Sequence, residues 1–344
     1  MKQRQSLIIV SLFFSFFLLA QGPSRMAEAK SFVSIGTHPI GSFFNSVGAA
    51  VAKVTGDHTE MKATVKPMKG PVAWYPYMER KAIDMGILNM WDAEKGWLGE
   101  SMYEKLSNGQ GFSIRLVAVS VYNPTSFWVA KDSGIQSIPE LKGKRVCGKY
   151  PTPSLHLQAE SYLRNWNMTW DDVNLVPVNS ISEGIRMVIE GRADATAAAM
   201  GVPDIEELNA KKGARMLGLD PSPEAAARSR AAFPGYLVKV SPGKGVTGVE
   251  KEQYVWAYDI YLVCREGLDD DDVFSIVKAL WENQPELGKI HKALNKWTTD
   301  RFVSKEALIP YHQGAINFFK EKGVWTAEME ALQTELLAKK PVKQ

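Results

Sequence analysis

Residues 32–54 read FVSIGTHPIGSFFNSVGAAVAKV, a strand, a tight turn and a helix in one stretch. Val33 and Ile35 are β-branched and apolar, which suits a buried parallel strand. Gly36, Pro39 and Gly41 punctuate the turn, and Ser42 is a candidate N-cap. Phe44, Val47, Val51 and Val54 then recur at helical spacing and make one apolar face. The free N–H groups of such a helix start, together with the helix dipole, favour an anion. Ligands of open α/β sheets bind beyond the carboxyl ends of the strands. Thr37 to Phe43 is therefore a candidate wall of a small-molecule site, with an ordinary β-α turn as the plain alternative.

The same grammar recurs along the chain. Residues 61–68 read as a second strand, and Pro76 predicts that the following helix starts near Tyr75 or Pro76 and runs to Lys81, leaving Lys69 to Trp74 as a loop. Residues 83–89 read as a third strand, and 116–122 and 126–130 as two runs separated by Asn123 and Pro124. Arg145 to Gly148 is a strand, and Ser154 a candidate N-cap of the next helix. Strands over 173–178 and 195–200 alternate with helices, and Gly213 stops the second of these. Tyr254 to Arg265 is a long β run, and the tail from Asp271 to Ala338 has a helical pattern. Its stripe of Phe274, Trp281, Phe318, Phe319, Trp325 and Met329 reads as core.

Lys2 and Arg4, the 14-residue apolar run Leu7–Ala20 and the triplet Ala27, Glu28, Ala29 read as a secretory signal peptide cleaved after Ala29. The run is short for a membrane span, and no later segment is long and apolar enough to insert. Removing residues 1–29 takes away Lys2, Arg4, Arg25 and Glu28, so 38 basic and 37 acidic side chains remain. That balance argues against a nucleic-acid partner. Asp269 to Asp272 reads as a solvated helix start. Cys147 and Cys264 could pair in an oxidising compartment, but both lie in apolar strand-like runs where buried thiols are common. There is no CxxC and no His/Cys cluster, so no metal site or other cofactor is expected.

Several markers, in order, resemble the periplasmic solute receptors of tripartite ATP-independent (TRAP) transporters, specifically the TAXI branch. They are Ile35–Thr37 with Gly41–Phe44 and Gly48; Gly134, Ile135 and Ile138–Val146; and Gly191–Asp194 with Gly201–Pro203. The resemblance covers residues 32–297. It implies an α/β, two-lobed periplasmic binding protein of type II-like architecture, with a ligand cleft between two doubly wound lobes. Residues 30–125 and 258–344 would form lobe 1 and residues 126–257 lobe 2. It implies a monomeric, non-enzymatic receptor that captures a small organic anion and hands it to TRAP-type permease subunits.

The expected pocket departs from the family. Gly70, Pro71, Val72, Ala73 and Trp74 stand where the family has a Ser- and Asn-bearing motif. Thr152 to Leu155 replace a Gly-Ser-Gly-Thr run, and Asn89 replaces a glutamine. Trp74, Trp91 and Tyr122 then point to an aromatic or apolar acid. The candidate ligand contacts are Thr37, Ser42, Phe43, Lys69, Gly70, Pro71, Val72, Trp74, Asn89, Trp91, Tyr122, Thr152, Ser154 and Met200, with the carboxylate seated near Ser42 and Ser154.

Two other readings compete. The same fold could serve an ABC transporter or a sensor kinase. An exported hydrolase would use Ser154 with His156 and Asp171 or Asp172, but residues two apart on a helix diverge, and no G-x-S-x-G elbow occurs.

Overall fold

The computed structural model describes residues 31–340, so the signal-peptide reading falls outside the described residues. One ten-stranded sheet runs through the molecule. Its strands are β1 (Phe32–Thr37), β2 (Lys62–Pro67), β3 (Met85–Asn89), β4 (Ile114–Ala130), β5 (Arg145–Gly148), β6 (Asn174–Pro177), β7 (Ala195–Ala199), β8 (Ala214–Met216), β9 (Tyr236–Val240) and β10 (Gln253–Arg265). The main path runs β2-β1-β3-β10-β4-β7-β5-β6. β1, β2 and β3 are parallel, as are β5, β6 and β7.

The two half-sheets are joined by β4 and β10. The first part of β4 pairs antiparallel with β10, from Ile114 with Arg265 to Asn123 with Tyr258. From Thr125 onward β4 pairs with β7, and from Trp128 with β8. The sequence expectation of two runs separated at Pro124 is corrected: the strand is continuous. Proline has no N–H to give a ladder, and here it falls where β4 changes partner, so no ladder bond is lost. This is a two-lobed α/β fold, as expected from the sequence.

Among the described residues, twelve α-helices flank the sheet. α1 (Phe43–His58), α2 (Pro71–Glu79), α3 (Met90–Leu98) and the single turn α4 (Glu104–Ser107) follow the first strands. α5 (Pro153–Asn165), α6 (Ile181–Ile189), α7 (Pro203–Lys212) and α8 (Pro223–Ala232) accompany the second half. α9 (Asp270–Glu282), α10 (Gln284–Ile290), α11 (Gln313–Glu321) and α12 (Ala327–Lys339) form the tail. α1 buries Val47, Val51 and Val54 of the expected stripe, with Ala50 beside them, while Phe44 is half-buried against the core. Asp269 caps α9 by accepting the N–H groups of Asp271 and Asp272. The tail stripe does pack in the core, with Phe318 and Phe319 fully buried.

α2 differs from the sequence expectation. Gly70 holds φ +93° at its start and Pro71 occupies the first turn, so the helix begins five residues before Pro76 and carries that proline inside it. Trp74 is therefore helical and not in a loop. Cys147 and Cys264 are both buried free thiols, and burial raises the pKa of each. Among the described residues no helix is long and apolar enough to cross a membrane, and no group of metal-ligating side chains is found.

Candidate functional site

The turn after β1 is tightly internally bonded. Ser42 caps α1 and accepts the Asn45 N–H at 3.2 Å. Thr37 is fully buried; its hydroxyl donates to the His38 carbonyl at 2.9 Å and accepts from Asn45 Nδ2 at 3.0 Å. His38 stacks on Phe44 with ring centroids 4.4 Å apart, and burial lowers its pKa to about 4, so it is neutral. A side chain at Gly70 would meet the His38 ring at 3.1 Å, which brings the turns after β1 and β2 together.

Trp74 lies over the strands beneath α2. A β-carbon at Gly36 would come within 2.8 Å of its ring, and one at Gly86 within 2.4 Å. The side chain has no solvent exposure. The expectation that Pro76 frees it to line a cleft is thus corrected: two glycines open a slot in the sheet, and the indole fills it.

The polar centre lies at the start of α3. Asn89 ends β3 and caps α3, accepting the Asp92 N–H at 2.8 Å. Its Nδ2 donates to Asp92 Oδ2 at 2.6 Å, and the Tyr103 hydroxyl donates to Oδ1 at 2.8 Å. The fourth participant comes from the other half-sheet: Ser154 Oγ, on α5, donates to Asp92 Oδ2 at 3.0 Å. Asp92 is fully buried with these three neutral side-chain partners. Desolvation therefore raises its pKa to about 6, against the lowering pull of the three hydrogen bonds. Beside it, Trp91 stacks on Phe233, which follows α8, at 6.4 Å, and Phe233 meets Tyr258 edge-on at 5.4 Å. Asn123 Nδ2 donates to the Tyr258 hydroxyl at 2.7 Å.

The opposite face of the crossing strands is basic and aromatic. Tyr122 and Asn123 alternate across β4, as do Tyr258 and Asp259 across β10. Lys296 Nζ stands 3.2 Å from the Tyr122 hydroxyl and 5.2 Å from the ring centre, and the Arg301 guanidinium lies 5.1 Å from that centre. Arg301 also donates to Asp259 at 2.5 Å, and Tyr236 donates to the same carboxylate at 2.7 Å. The segment carrying Lys296 begins at His291, whose ring meets Phe43 at 5.0 Å.

The NMT1-like family model matches residues 35–323. The chain belongs to the NMT1-like family. Among solved structures, a TctC solute-binding protein from Polaromonas, without ligand, is 14% identical. The match covers 91% of this chain and 99% of that one, with a TM-score of 0.50. The periplasmic sulfonate-binding protein SsuA from Methylobacillus flagellatus KT is also 14% identical, over 86% and 88% of the two chains, with a TM-score of 0.49. The TctC match is a likeness of fold alone.

In this member of the NMT1-like family, three of the sequence-selected residues meet: Asn89, Trp91 and Ser154, all around Asp92. Ser154 is not an N-cap as expected, because Pro153 starts α5 and Thr152 takes the cap position. Its hydroxyl is free for Asp92. His156 instead accepts the Lys149 N–H at 3.0 Å and stacks on Trp170, so no Ser154–His156 pair forms. Thr37, Ser42 and Phe43 cluster at the start of α1. Gly70 and Pro71 are buried at the start of α2 and Val72 half-buried, while Lys69 is exposed. Tyr122 lies with Lys296, on the face away from Asn123. Met200 is half-buried and donates its N–H to the Pro124 carbonyl at 2.9 Å.

Asp92, Tyr103, Gln158, Phe233 and Tyr258 were not selected from the sequence. The spacing from Asn89 to Asp92 is an N-cap signature and could have flagged the first. An open surface cavity of about 580 Å³ lies elsewhere, lined by residues including Ser31, His58, Glu60, Asp272 and Lys278. Ser31 immediately precedes β1, so this cavity lies at the edge opposite the β1–α1 turn.

Proposed function

We propose that this chain is an exported, monomeric solute receptor of the TAXI type that binds a small organic acid between two lobes and delivers it to TRAP permease subunits. The chain before residue 126 and after 257 forms one lobe, and residues 126–257 the other. The observation that carries this reading is a double exchange of partners: β4 passes from β10 to β7 and β8, and β10 passes from β9, over residues 253–257, to β3 and β4. Two strands shared by both half-sheets can absorb small φ/ψ changes and let the lobes close as rigid bodies.

The acid seats on the face that carries Tyr122. The N-terminus of α1 at Ser42 offers N–H groups and the positive end of a dipole. Phe43 and Tyr122 supply apolar surface, and Lys296 supplies a cation. In this reading Thr152 and Met200 would be the second lobe's contribution. Trp74 is withdrawn from the set, because it is enclosed by the core, and Ser154, because it faces a carboxylate. The Asp92 side of the crossing strands repels an anion, which leaves the Tyr122 side.

A thermal-shift screen of organic acids tests this reading. A solute that binds only the folded form raises Tm by mass action. A broad panel of aliphatic and aromatic acids with no shift, at concentrations up to millimolar, would refute it.

A further inference from the structure

Two acids are buried among the described residues, and they are neutralised differently. Asp259 has the Arg301 guanidinium. Asp92 has only Asn89, Tyr103 and Ser154, and of these Ser154 alone comes from the other half-sheet. We propose that Asp92 is the latch of cleft closure: a carboxyl group seated by Asn89 and Tyr103 that holds the second lobe through the Ser154 hydroxyl. This rests on the two-lobe closure proposed above.

Three features support it. Ser154 has no capping duty, since Thr152 holds that position, so the partner of its hydroxyl is Asp92. Gln158 lies one turn further along the same face of α5 and is also buried, beside the Tyr258 hydroxyl. Trp91 closes on Phe233 next to them. Opening the lobes therefore withdraws Ser154, Gln158 and Phe233 together and returns water to the Asp92 carboxyl.

Closing reverses this and strips water from a carboxyl with no cation to compensate. Desolvation disfavours its charged form, so the closed cleft holds the Asp92 proton more tightly than an open one. The groups facing it are Tyr75 from α2, Tyr103 from the segment after α3, Tyr258 from β10, Ser154 from α5, and Asn89, with Gln158 of α5 behind Tyr258. Burial raises the pKa of all three tyrosines above the ordinary value, so they stay neutral in acid and at neutrality. Asp92 is the group that titrates. With about 6 closed and the ordinary value near 4 when solvated, protonation favours closure. The effect is complete below about pH 4 and lost as pH rises through 6. Between pH 7 and pH 5 it changes the closure equilibrium about tenfold.

Spin labels on the exposed positions Lys66→Cys and Lys211→Cys, one in each lobe, read the closed-to-open ratio in solute-free protein. The expected result is an approximately tenfold rise in that ratio from pH 7 to pH 5. Asp92→Asn should make the ratio independent of pH over that range. Ser154→Ala should lower the closed fraction severalfold at every pH. The latch is overturned if the parent shows no pH response, if Asp92→Asn keeps the parental profile, or if Ser154→Ala leaves the distances unchanged. Circular dichroism checks folding, and if Asp92→Asn does not fold, Ser154→Ala decides alone. A failed solute screen refutes the receptor reading without touching this result, because no solute is present.

Discussion

The indole of Trp74 lies across Gly86, where an added β-carbon would stand 2.4 Å from its Cη2. Gly36, on the neighbouring strand, is covered by the same ring. The ring is hemmed in by Tyr75, tilted against it at 4.6 Å.

Gly86→Ala should therefore lower stability by about 1–3 kcal/mol through overpacking. Trp74→Ala should cost more, about 3–5 kcal/mol, because it leaves a cavity. Urea denaturation of both variants reads this directly; a Trp74→Ala protein as stable as the parent would place the ring outside the core.

Ser42 both caps α1 and stands in the proposed anion seat. Capping alone predicts that Ser42→Ala loses about 1 kcal/mol of stability with unchanged affinity. The seat predicts that affinity for the acid found by screening falls by more than stability does. Calorimetric titration beside a denaturation curve separates the two.

Lys296 is exposed and has the Tyr122 hydroxyl as its partner. Lys296→Ala should weaken acid binding by about 1 kcal/mol, roughly fivefold in Kd, as for a solvent-exposed charge pair. Tm of the free protein should not move. Equal affinity of variant and parent would remove Lys296 from the seat.

Arg301 neutralises Asp259 and reaches the Ser120 carbonyl at 2.9 Å. Arg301→Ala leaves a buried carboxylate without its cation and should destabilise the protein by on the order of 3 kcal/mol. The double variant with Asp259→Asn should recover part of that loss. Unfolding midpoints of the single and double variants test the pairing.

His38 and Asp92 pull stability in opposite directions in acid. The His38 pKa is lowered to about 4, so the unfolded chain binds its proton first and stability falls as pH drops below 6.5. The Asp92 pKa is raised to about 6, so the folded chain binds that proton first and stability rises as pH drops through 6. Each has a limiting slope of about 1.4 kcal/mol per pH unit. His38→Gln should therefore make the protein relatively more acid-stable, and Asp92→Asn less. Melting curves from pH 7 to pH 4 that are parallel for both variants and the parent would refute these assignments.

Much of the fold was legible because its signals are local. The Val/Ile strand and the 3.6-residue stripe of α1 lie within 23 residues of one another, and Gly213 ends α7 as its position predicted. The candidate site was less so. Trp74 looks like a ligand wall until Gly36 and Gly86, 38 and 12 residues away, are seen beneath it. Pro76 reads as a helix start, yet Pro71 had already supplied one. The Asp92 cluster draws on residues from 89 to 154, and its defining contact depends on two helices meeting, which no local pattern encodes.

The order of strand pairing also sets an order of assembly. β3 finds its antiparallel partner only in residues 260–264, near the end of the chain, whereas the β5, β6 and β7 set is complete by residue 199. A ribosome that has released two-thirds of this polypeptide has therefore released a second half-sheet able to pair and a first one still lacking a neighbour. Truncation anywhere before β10 leaves the edge of β3 bare, with unpaired backbone groups open to other chains. Residues from 260 onward thus decide whether β1 to β3 can be kept from aggregating.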